Sequence, residues 1–286
     1  MKVKKFSGIC VWIIASLLPD FCEATFSTLE DEYTPTYCLQ LEAAYGEGMM
    51  SEGGVKGIEH MFDQIPLEGK KALDIGCGLG GVVFYLAEKY KVDVTGLEVN
   101  KWMVAESEKR TPDFLKNRVN FLLSTSNNKW PISQESYDLI YSKGVLTHLE
   151  VKDGVFQQCH RLLKNEGLLV ITDWLSSDHK KWGKNIEKLV ELEHLALFPE
   201  TEAGYIELLE KNGFTILSVR DDSYVYLGFN QKIIERLQNP EQLGRYVNCF
   251  NENELEASID GYKSIAKAIE EGELKVLRFV AQKRIN

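Results

Sequence analysis

The sequence lacks the cysteine and histidine spacings of a metal or redox site. Its six cysteines include no CxxC pair, so neither a zinc site nor a thioredoxin-like motif is indicated. His160, His179 and His194 show no metal-ligand spacing. We therefore expect no metal, and we expect the scattered cysteines to be small buried apolar side chains.

Positive charge is also scarce. The chain has 33 Lys and Arg residues against 43 Asp and Glu residues, which gives a formal net charge of -10. A field of that sign repels phosphate backbones. We therefore expect no nucleic-acid partner, whereas a cationic ligand is compatible with this charge.

The chain has no comfortable membrane span at its start. The apolar run over residues 9–18 is shorter than the roughly 20 residues that a spanning helix needs. Three lysines precede this run and Cys22-Glu23-Ala24 follows it, which is the order of a secretory signal. A mis-chosen start codon or an amphipathic flap explains the same segment, so residues 1–24 are described as signal-like or flexible.

After residue 70 the sequence alternates between short β-rich runs and stretches of helical periodicity. Such alternation predicts βαβ crossovers and a parallel sheet covered on both faces. Ligands bind such sheets at the carboxyl ends of the strands, where the strand order reverses. The predicted strands are 71–75, 92–99, 119–123, 137–141 and 168–172, and the predicted helices are 82–90, 103–110 and 153–164.

The last third of the chain has a different pattern. Strands are predicted over 214–220 and 275–282, with about fifty residues between them. A connection of that length is expected to have structure of its own. Helical spacing over 231–237 and 259–269 predicts a helical cap over the site.

The strongest local motif is the run Asp74-Ile75-Gly76-Cys77-Gly78-Leu79-Gly80. Glycine allows a positive φ in the turn and lets the backbone approach a ligand. Dinucleotide enzymes use a related glycine-rich turn, but an acid before the turn suits a cationic ligand better than a pyrophosphate. Glu98 ends the next strand, where a carboxylate can accept two ribose hydroxyls or remain a solvated charge.

These motifs resemble the class I S-adenosylmethionine (SAM)-dependent methyltransferases. The segments 32–34, 45–54, 138–149 and 169–174 resemble the phosphoethanolamine N-methyltransferase family in particular, and the similarity extends over residues 32–283. The resemblance implies an α/β, Rossmann-like fold. Its seven-stranded, mostly parallel sheet would have helices on both faces, an antiparallel last strand and a helical cap.

The expected domain organisation follows from that resemblance. Residues 1–24 form the separate N-terminal segment, and residues 25–286 form one methyltransferase domain. Within this domain we expect an N-terminal lid over 30–65, a core over 66–221, a helical cap over 222–272 and a final strand over 273–286.

The resemblance also implies a set of SAM-binding residues in the lid, the turn and the strand ends. Two positions depart from the family. The family has an Asp at each of them, whereas this chain has Ser124 and Gly144. A hydroxyl at Ser124 can still hydrogen-bond adenine. The predicted cofactor-binding residues are Met50, Ser51, Asp74, Gly76, Cys77, Gly78, Glu98, Val99, Ser124, Thr125 and Lys143.

The catalytic pair that the resemblance implies is Tyr33 and His148. Methyl transfer is an in-line displacement, so orientation supplies much of the rate. An ammonium has no lone pair, and a His with a pKa near neutrality, or a Tyr bonded to it, can remove its proton. A lid tyrosine that only excludes water is the alternative for Tyr33, and a satisfied loop histidine is the alternative for His148.

The substrate positions differ most from the family. Where its members hold phosphate with Tyr, Arg and Lys, this chain has Leu41, Trp174, Glu193, Leu195 and Ile265. Leu and Glu offer a phosphate neither cations nor donors. Trp174 can hold an alkylammonium by a cation–π contact or pack in the core. These departures predict a small-molecule amine acceptor without a phosphate.

Other functions stay open from the sequence. They are O-methylation of a small metabolite, methylation of phosphoethanolamine itself, and a non-catalytic scaffold that binds SAM. Because SAM is made in the cytosol, we expect a cytoplasmic protein, unless residues 1–24 direct it elsewhere. The sequence does not predict an oligomeric state.

Overall fold

The computed structural model describes residues 33–124, 127–133, 136–177, 180–193 and 195–285. The N-terminal segment 1–24 and the first residues of the predicted lid lie outside the described residues. Within the described ranges, no helix is long and apolar enough to cross a membrane.

A seven-stranded sheet organises the chain. The strands are β1 (Lys71–Ile75), β2 (Asp93–Glu98), β3 (Val119–Leu123), β4 (Tyr137–Lys143), β5 (Leu163–Ser176), β6 (Phe214–Asp221) and β7 (Leu274–Lys283). Their order is β3-β2-β1-β4-β5-β7-β6. Strands β1 to β5 pair in parallel, and β7 pairs antiparallel with both β5 and β6. The predicted mostly parallel sheet with an antiparallel last strand is confirmed.

Helices precede, connect and flank these strands. They are α1 (Pro35–Tyr45), α2 (Gly54–Met61), α3 (Gly81–Tyr90), α4 (Lys101–Arg110), α5 (Asp153–Leu162), α6 (Lys184–Glu193), α7 (Glu202–Lys211), α8 (Ser223–Leu237), α9 (Pro240–Leu243) and α10 (Glu252–Glu270). Short 3-10 helices cover Asp113–Leu115, Leu146–His148 and Gly244–Cys249. Helices α8, α9 and α10 all lie between β6 and β7.

Both faces of the sheet are covered. In β4, Ile140 belongs to one apolar cluster together with Phe279, whereas its neighbours Leu139 and Tyr141 belong to a second cluster. Successive side chains of a strand point to opposite faces, and both faces of a crossover-built sheet are buried. The predicted layers of helices on both faces are confirmed.

A third apolar cluster joins the helices beside the sheet. Ile186 and Leu189 of α6 belong to it, as do Ile233 of α8 and Ile265 of α10. Ala43 of α1 is completely buried in the same cluster. The residues predicted as a cap therefore pack against helix α1.

The predicted boundary between α5 and β5 is wrong. The helix predicted over 153–164 ends at Leu162, and β5 starts at Leu163, which pairs with Tyr137 of β4. The polar residues that follow resemble a helix end, but Glu166 has a φ of 60° and the β4–β5 register shifts nearby. An irregularity of this kind lets a strand continue through residues that have little strand propensity.

The cap helices extend beyond their predicted ranges. The prediction over 231–237 is the end of α8, and the prediction over 259–269 is the second half of α10. At the start of α10, the Asn251 side chain accepts from the Glu254 amide, and the Glu254 carboxylate accepts from the Asn251 amide. This capping box satisfies free donors and adds a polar first turn that apolar periodicity does not detect.

Candidate functional site

The candidate residues come from loops that meet at one edge of the sheet. Strands β1 and β4 are neighbours at its centre, with β2 and β3 on one side and β5 on the other. The strand order therefore reverses between β1 and β4, and the crevice at the carboxyl ends of such strands is where ligands bind.

The turn after β1 holds its backbone close to the lid. Gly76 and Gly78 have φ values of 70° and 53°, which glycine adopts without strain. A Cβ at Gly78 would lie 2.5 Å from Met50 Cγ, and one at Gly76 would lie 2.6 Å from Val145 Cγ1. Glycine at both positions is therefore required for Met50 and Val145 to close over this turn.

Glu98 is fixed at the end of β2 by three backbone amides. Its Oε2 accepts from Gly78 N at 2.8 Å, and its Oε1 accepts from Val99 N at 2.8 Å and Asn100 N at 3.0 Å. Burial raises the pKa of this carboxyl, and the three amides oppose that shift. Oε1 already accepts two of these bonds, whereas Oε2 accepts one and keeps a second lone pair, so the carboxylate can still accept a hydrogen bond from a ligand.

A cavity of ≈ 890 Å³, partly open to solvent, lies above the turn and Glu98. Apolar side chains surround the carboxylate, and Trp130 is buried on the wall. Most of the predicted cofactor residues line this cavity. Its walls include Met50, Gly76, Gly78, Leu97, Glu98, Val99, Asn100, Met103, Ser124, Asn127, Trp130, Lys143 and Leu149.

The structure does not place every predicted cofactor residue on that wall. Asp74 is buried in β1, and burial raises its pKa well above the usual value, although the Tyr141 hydroxyl and Lys143 oppose this shift. A Cβ at Gly96 of β2 would lie 2.6 Å from Cys77 Sγ, so this thiol packs inward on the sheet. The side chains of Asp74 and Cys77 therefore face the core and do not line the cavity, although both residues were predicted to bind the cofactor. Thr125 lies outside the described residues.

Lys143 ties the end of β4 to the lid. Its Nζ donates to Ser51 Oγ at 2.7 Å and to the Glu52 carbonyl oxygen at 2.8 Å. Burial lowers the pKa of Lys143 to about 8, and the nearby carboxylates of Glu52 and Asp74 oppose that shift. Lys143 lines the cofactor cavity, whereas Ser51 lines a second cavity behind it.

Tyr33 and His148 meet where these two cavities join. The Tyr33 hydroxyl and His148 Nε2 are hydrogen-bonded at 3.1 Å, and the rings are edge to face, with centroids 5.8 Å apart. Thr34 caps the start of α1, and Asn100 Nδ2 donates to the Tyr33 carbonyl oxygen at 3.1 Å. The lid tyrosine is thus held from both sides, and both ring systems line both cavities.

The pKa of His148 differs from the expectation. Burial and the positive charge of Lys152 lower this pKa to about 4, while a backbone hydrogen bond at Ala196 opposes the shift. The sequence interpretation assumed a pKa near neutrality. A ring in this environment is uncharged at neutral pH, so it accepts or donates a hydrogen bond but is a weak proton acceptor.

The second cavity, of ≈ 550 Å³, contains the predicted substrate residues. Leu41, Trp174, Glu193 and Leu195 all line it, although they come from three separate parts of the chain. The Tyr37 hydroxyl donates to Glu193 Oε2 at 2.7 Å. The other walls are Tyr33, Tyr45, Met50, Ser51, Glu52, Gly144, Thr147, His148, Leu189, Leu197, Tyr262 and Ile265.

The two departures from the family have clear structural settings. Ser124 is buried on the cofactor cavity, and its amide donates to the Glu98 carbonyl oxygen at 2.8 Å. Gly144 has a φ of 69°, and a Cβ there would lie 3.8 Å from Ser51 Cβ. Space for a side chain exists at Gly144, but the backbone conformation favours glycine.

Several residues at the site were not predicted. Asn100 had a detectable signal, since an Asn directly before a helix is typical of an N-cap, and its Oδ1 accepts from Trp102 N and Met103 N. The second cavity also contains Glu52, Tyr37 and Tyr262. Nothing in their local sequence distinguishes them, because they reach the cavity only when α1, the lid and α10 pack together.

Comparison with known proteins gives a consistent result. A family model described as a methyltransferase domain matches residues 55–219. Phosphoethanolamine N-methyltransferase 3 of Arabidopsis thaliana is 26% identical over 88% of this chain. The phosphoethanolamine N-methyltransferase of Plasmodium falciparum is 27% identical over 87% of this chain. The chain spans about half (50%) of the Arabidopsis relative and 91% of the Plasmodium relative.

A solved structure extends the likeness to the fold. Phosphoethanolamine N-methyltransferase 2 of Haemonchus contortus, in complex with phosphomonomethylethanolamine and S-adenosylhomocysteine, superposes with a TM-score of 0.81 at 20% identity. The match covers 91% of this chain and 60% of that chain. The family resemblance predicted from the sequence motifs is confirmed.

Proposed function

The chain belongs to the methyltransferase domain family, and from this premise we propose that it uses SAM to methylate a small amine that carries no phosphate. The observation that carries the proposal is the composition of the second cavity. Its walls combine the Tyr33–His148 pair with aromatic side chains and two carboxylates, Glu52 and Glu193.

The cofactor cavity fits SAM. The cradle at Gly76 and Gly78 exposes backbone, and Trp130 and Met103 offer apolar surface for adenine. Glu98 Oε2 presents an acceptor suited to a ribose hydroxyl. When bound, SAM supplies an electrophilic methyl group on a sulfonium. Met50 lines both cavities, so this lid residue helps to exclude water from the junction.

The second cavity suits an uncharged or cationic acceptor better than a phosphate. Among the described residues that line it there is no Lys or Arg. Lys180 pairs with Glu200 at 2.7 Å and Lys263 pairs with Asp260 at 3.0 Å, so both point to other partners. A phosphate needs cations or donors, and the buried carboxylates would repel it.

Tyr33 and His148 orient the acceptor rather than strip its proton. Because the pKa of His148 is lowered to about 4, the ring cannot readily deprotonate an ammonium with a pKa of about 10. An amine that arrives neutral has a free lone pair. The Tyr33–His148 pair accepts a hydrogen bond from the amine N–H. This contact directs the nitrogen lone pair at the methyl group, as in-line displacement requires.

We expect phosphoethanolamine to be a poor substrate. Its phosphate would lose water contacts against Leu41 and Leu195 and be repelled by Glu193. Unpaired burial of this kind costs several kcal/mol, so kcat/KM should fall about a thousandfold relative to a phosphate-free amine. A competition assay with both acceptors, read by mass spectrometry of the methylated products, measures the ratio.

The same assay separates the alternatives. Faster turnover of phosphoethanolamine would overturn the choice of substrate and leave the methyltransferase assignment intact. Release of S-adenosylhomocysteine with alcohols but not amines would indicate O-methylation. SAM binding without turnover of any acceptor would indicate a scaffold.

The pH dependence of the reaction tests the role of His148. Its lowered pKa leaves the ring uncharged above about pH 5, so the free-amine fraction controls kcat/KM. We expect kcat/KM to rise about tenfold per pH unit up to the pKa of the amine. With two amines of different pKa, the break should move with the amine; a fixed break near pH 6.5 would instead indicate a histidine base.

A further inference from the structure

Two carboxylates share the second cavity, one buried (Glu52) and one half-buried (Glu193). Glu52 is only 4% exposed, and within the part of the chain that the structure describes its Oε1 has no hydrogen-bond partner. Glu193 accepts one hydrogen bond, from the Tyr37 hydroxyl. Both side chains line the cavity. A buried carboxylate oxygen without a donor is costly unless a ligand supplies one.

The charges around these carboxylates leave a negative region. Burial raises the pKa of Glu193, and the charge of Glu52 raises it further. The charge of Lys143 opposes the rise in the pKa of Glu52, but its ammonium donates to Ser51 Oγ and the Glu52 carbonyl oxygen, and Glu52 Oε1 receives no hydrogen bond from the described residues. A cation in the same cavity would favour the charged forms of both carboxylates.

The walls near the carboxylates are aromatic. Tyr45 and Tyr262 meet edge to face with centroids 5.9 Å apart, and Trp174 lines the same cavity. Aromatic faces attract a cation, and weakly hydrated alkylammonium groups benefit most. Carboxylates and aromatic rings together form a site for a quaternary or alkylated ammonium.

This region is separate from the position where the methyl group is transferred. His148 is hydrogen-bonded to Tyr33, and Tyr37 is hydrogen-bonded to Glu193. The ring centroids of Tyr33 and Tyr37 are 5.6 Å apart. Glu193 therefore lies two aromatic rings away from His148. A molecule that spans this separation can place one nitrogen at the Tyr33–His148 pair and a second charged group at Glu193.

We propose that the acceptor carries a second, permanently cationic group, held by Glu52, Glu193 and the surrounding aromatic rings, at the end opposite its reacting amine. As a statement about substrate, this rests on the proposed function. It names the substrate class as short diamines in which the distal nitrogen is an alkylated ammonium.

A pair of isosteric probes tests the distal site without involving the reacting amine. Choline and 3,3-dimethylbutan-1-ol have the same shape and differ by one positive charge. We expect calorimetry on the protein loaded with S-adenosylhomocysteine to show choline binding about 30-fold more tightly. Glu193→Gln and Glu52→Gln should each reduce that ratio several-fold, while Glu191→Gln, an exposed change on the same helix α6, should not.

The outcomes distinguish this inference from the proposed function. Equal affinity for the two probes in the wild-type protein would overturn the distal cation site, and this comparison needs no variant. A preference for choline that survives both Glu→Gln changes would overturn its location. If no amine leads to release of S-adenosylhomocysteine but the preference for choline is retained, the proposed function is contradicted. The cation site would still be supported.

For turnover, the matched acceptors are (2-aminoethyl)trimethylammonium and 3,3-dimethylbutan-1-amine. We compare kcat/KM per concentration of free amine, because the distal charge lowers the pKa of the reacting nitrogen. The charged acceptor should be preferred about tenfold or more. Preference for the neutral acceptor would contradict the proposed substrate class while still supporting N-methylation.

Discussion

Replacing His148 with Ala is expected to lower kcat about 100-fold, which is the usual cost of misplacing a reacting group by about 1 Å. The affinity for SAM should change little, since the cofactor is held mainly by the turn and Glu98. The reason is geometric: His148 Nε2 lies 3.1 Å from the Tyr33 hydroxyl at the junction of the two cavities. Single-turnover kinetics and calorimetric SAM binding measure the two effects separately.

The matched variants are Tyr33→Phe, which removes the hydroxyl alone, and Tyr224→Phe, which changes a tyrosine that is 86% exposed. Tyr33→Phe should lower kcat as His148→Ala does, and the double variant should add little because the two residues act as a unit. Tyr224→Phe should behave as the wild type. Full activity in both His148→Ala and Tyr33→Phe would remove the pair from the mechanism and leave proximity as the source of the rate.

Replacing Glu98 with Gln is expected to weaken SAM binding about 100-fold. A hydrogen bond to a charged acceptor contributes up to about 3 kcal/mol, and each 1.4 kcal/mol is about tenfold in affinity. The Gln side chain also replaces one carboxylate oxygen with an NH2 group, which cannot accept the hydrogen bonds that the backbone amides of Gly78, Val99 and Asn100 donate. The thermal midpoint should therefore fall as well, because a buried donor would lose its acceptor.

Asp93→Asn is the control for this change, because Asp93 is the solvent-exposed first residue of the same strand and pairs with Arg118. It should keep the wild-type affinity for SAM. Calorimetry on folded protein, with circular dichroism to verify the fold, makes the comparison. An unchanged dissociation constant in a folded Glu98→Gln protein would show that this carboxylate does not hold the ribose.

The predictions that the structure supports best come from short-range signals. The strand at Lys71–Ile75 and the glycine turn that follows are visible because apolar residues, an acid and three glycines stand next to one another in sequence. Backbone conformation at Gly76 and Gly78 is decided by the absence of a side chain. Asn100 was not predicted, although its N-cap preference is likewise a local hydrogen-bonding effect.

The two boundary errors have different causes, of which one is local and the other is not. The apolar repeat predicted only the second half of α10, because its first turn is polar and is stabilised by the Asn251–Glu254 capping box. At Leu163 the strand competes with the preceding helix. Pairing with Tyr137 of β4 decides in favour of the strand, and a window of sequence contains no information on that pairing.

The sequence by itself determined the fold family, the glycine cradle and Glu98, since each depends on neighbours within one strand–turn–helix unit. Only the tertiary structure decided which side chains share the two cavities and how they titrate. Tyr33 and His148 are 115 positions apart, and Tyr37 and Glu193 are 156 positions apart. Asp74 faces the core rather than the cavity, and burial lowers the pKa of His148 to about 4. Burial and charge proximity depend on the whole packed chain, so residue type and spacing alone cannot supply them.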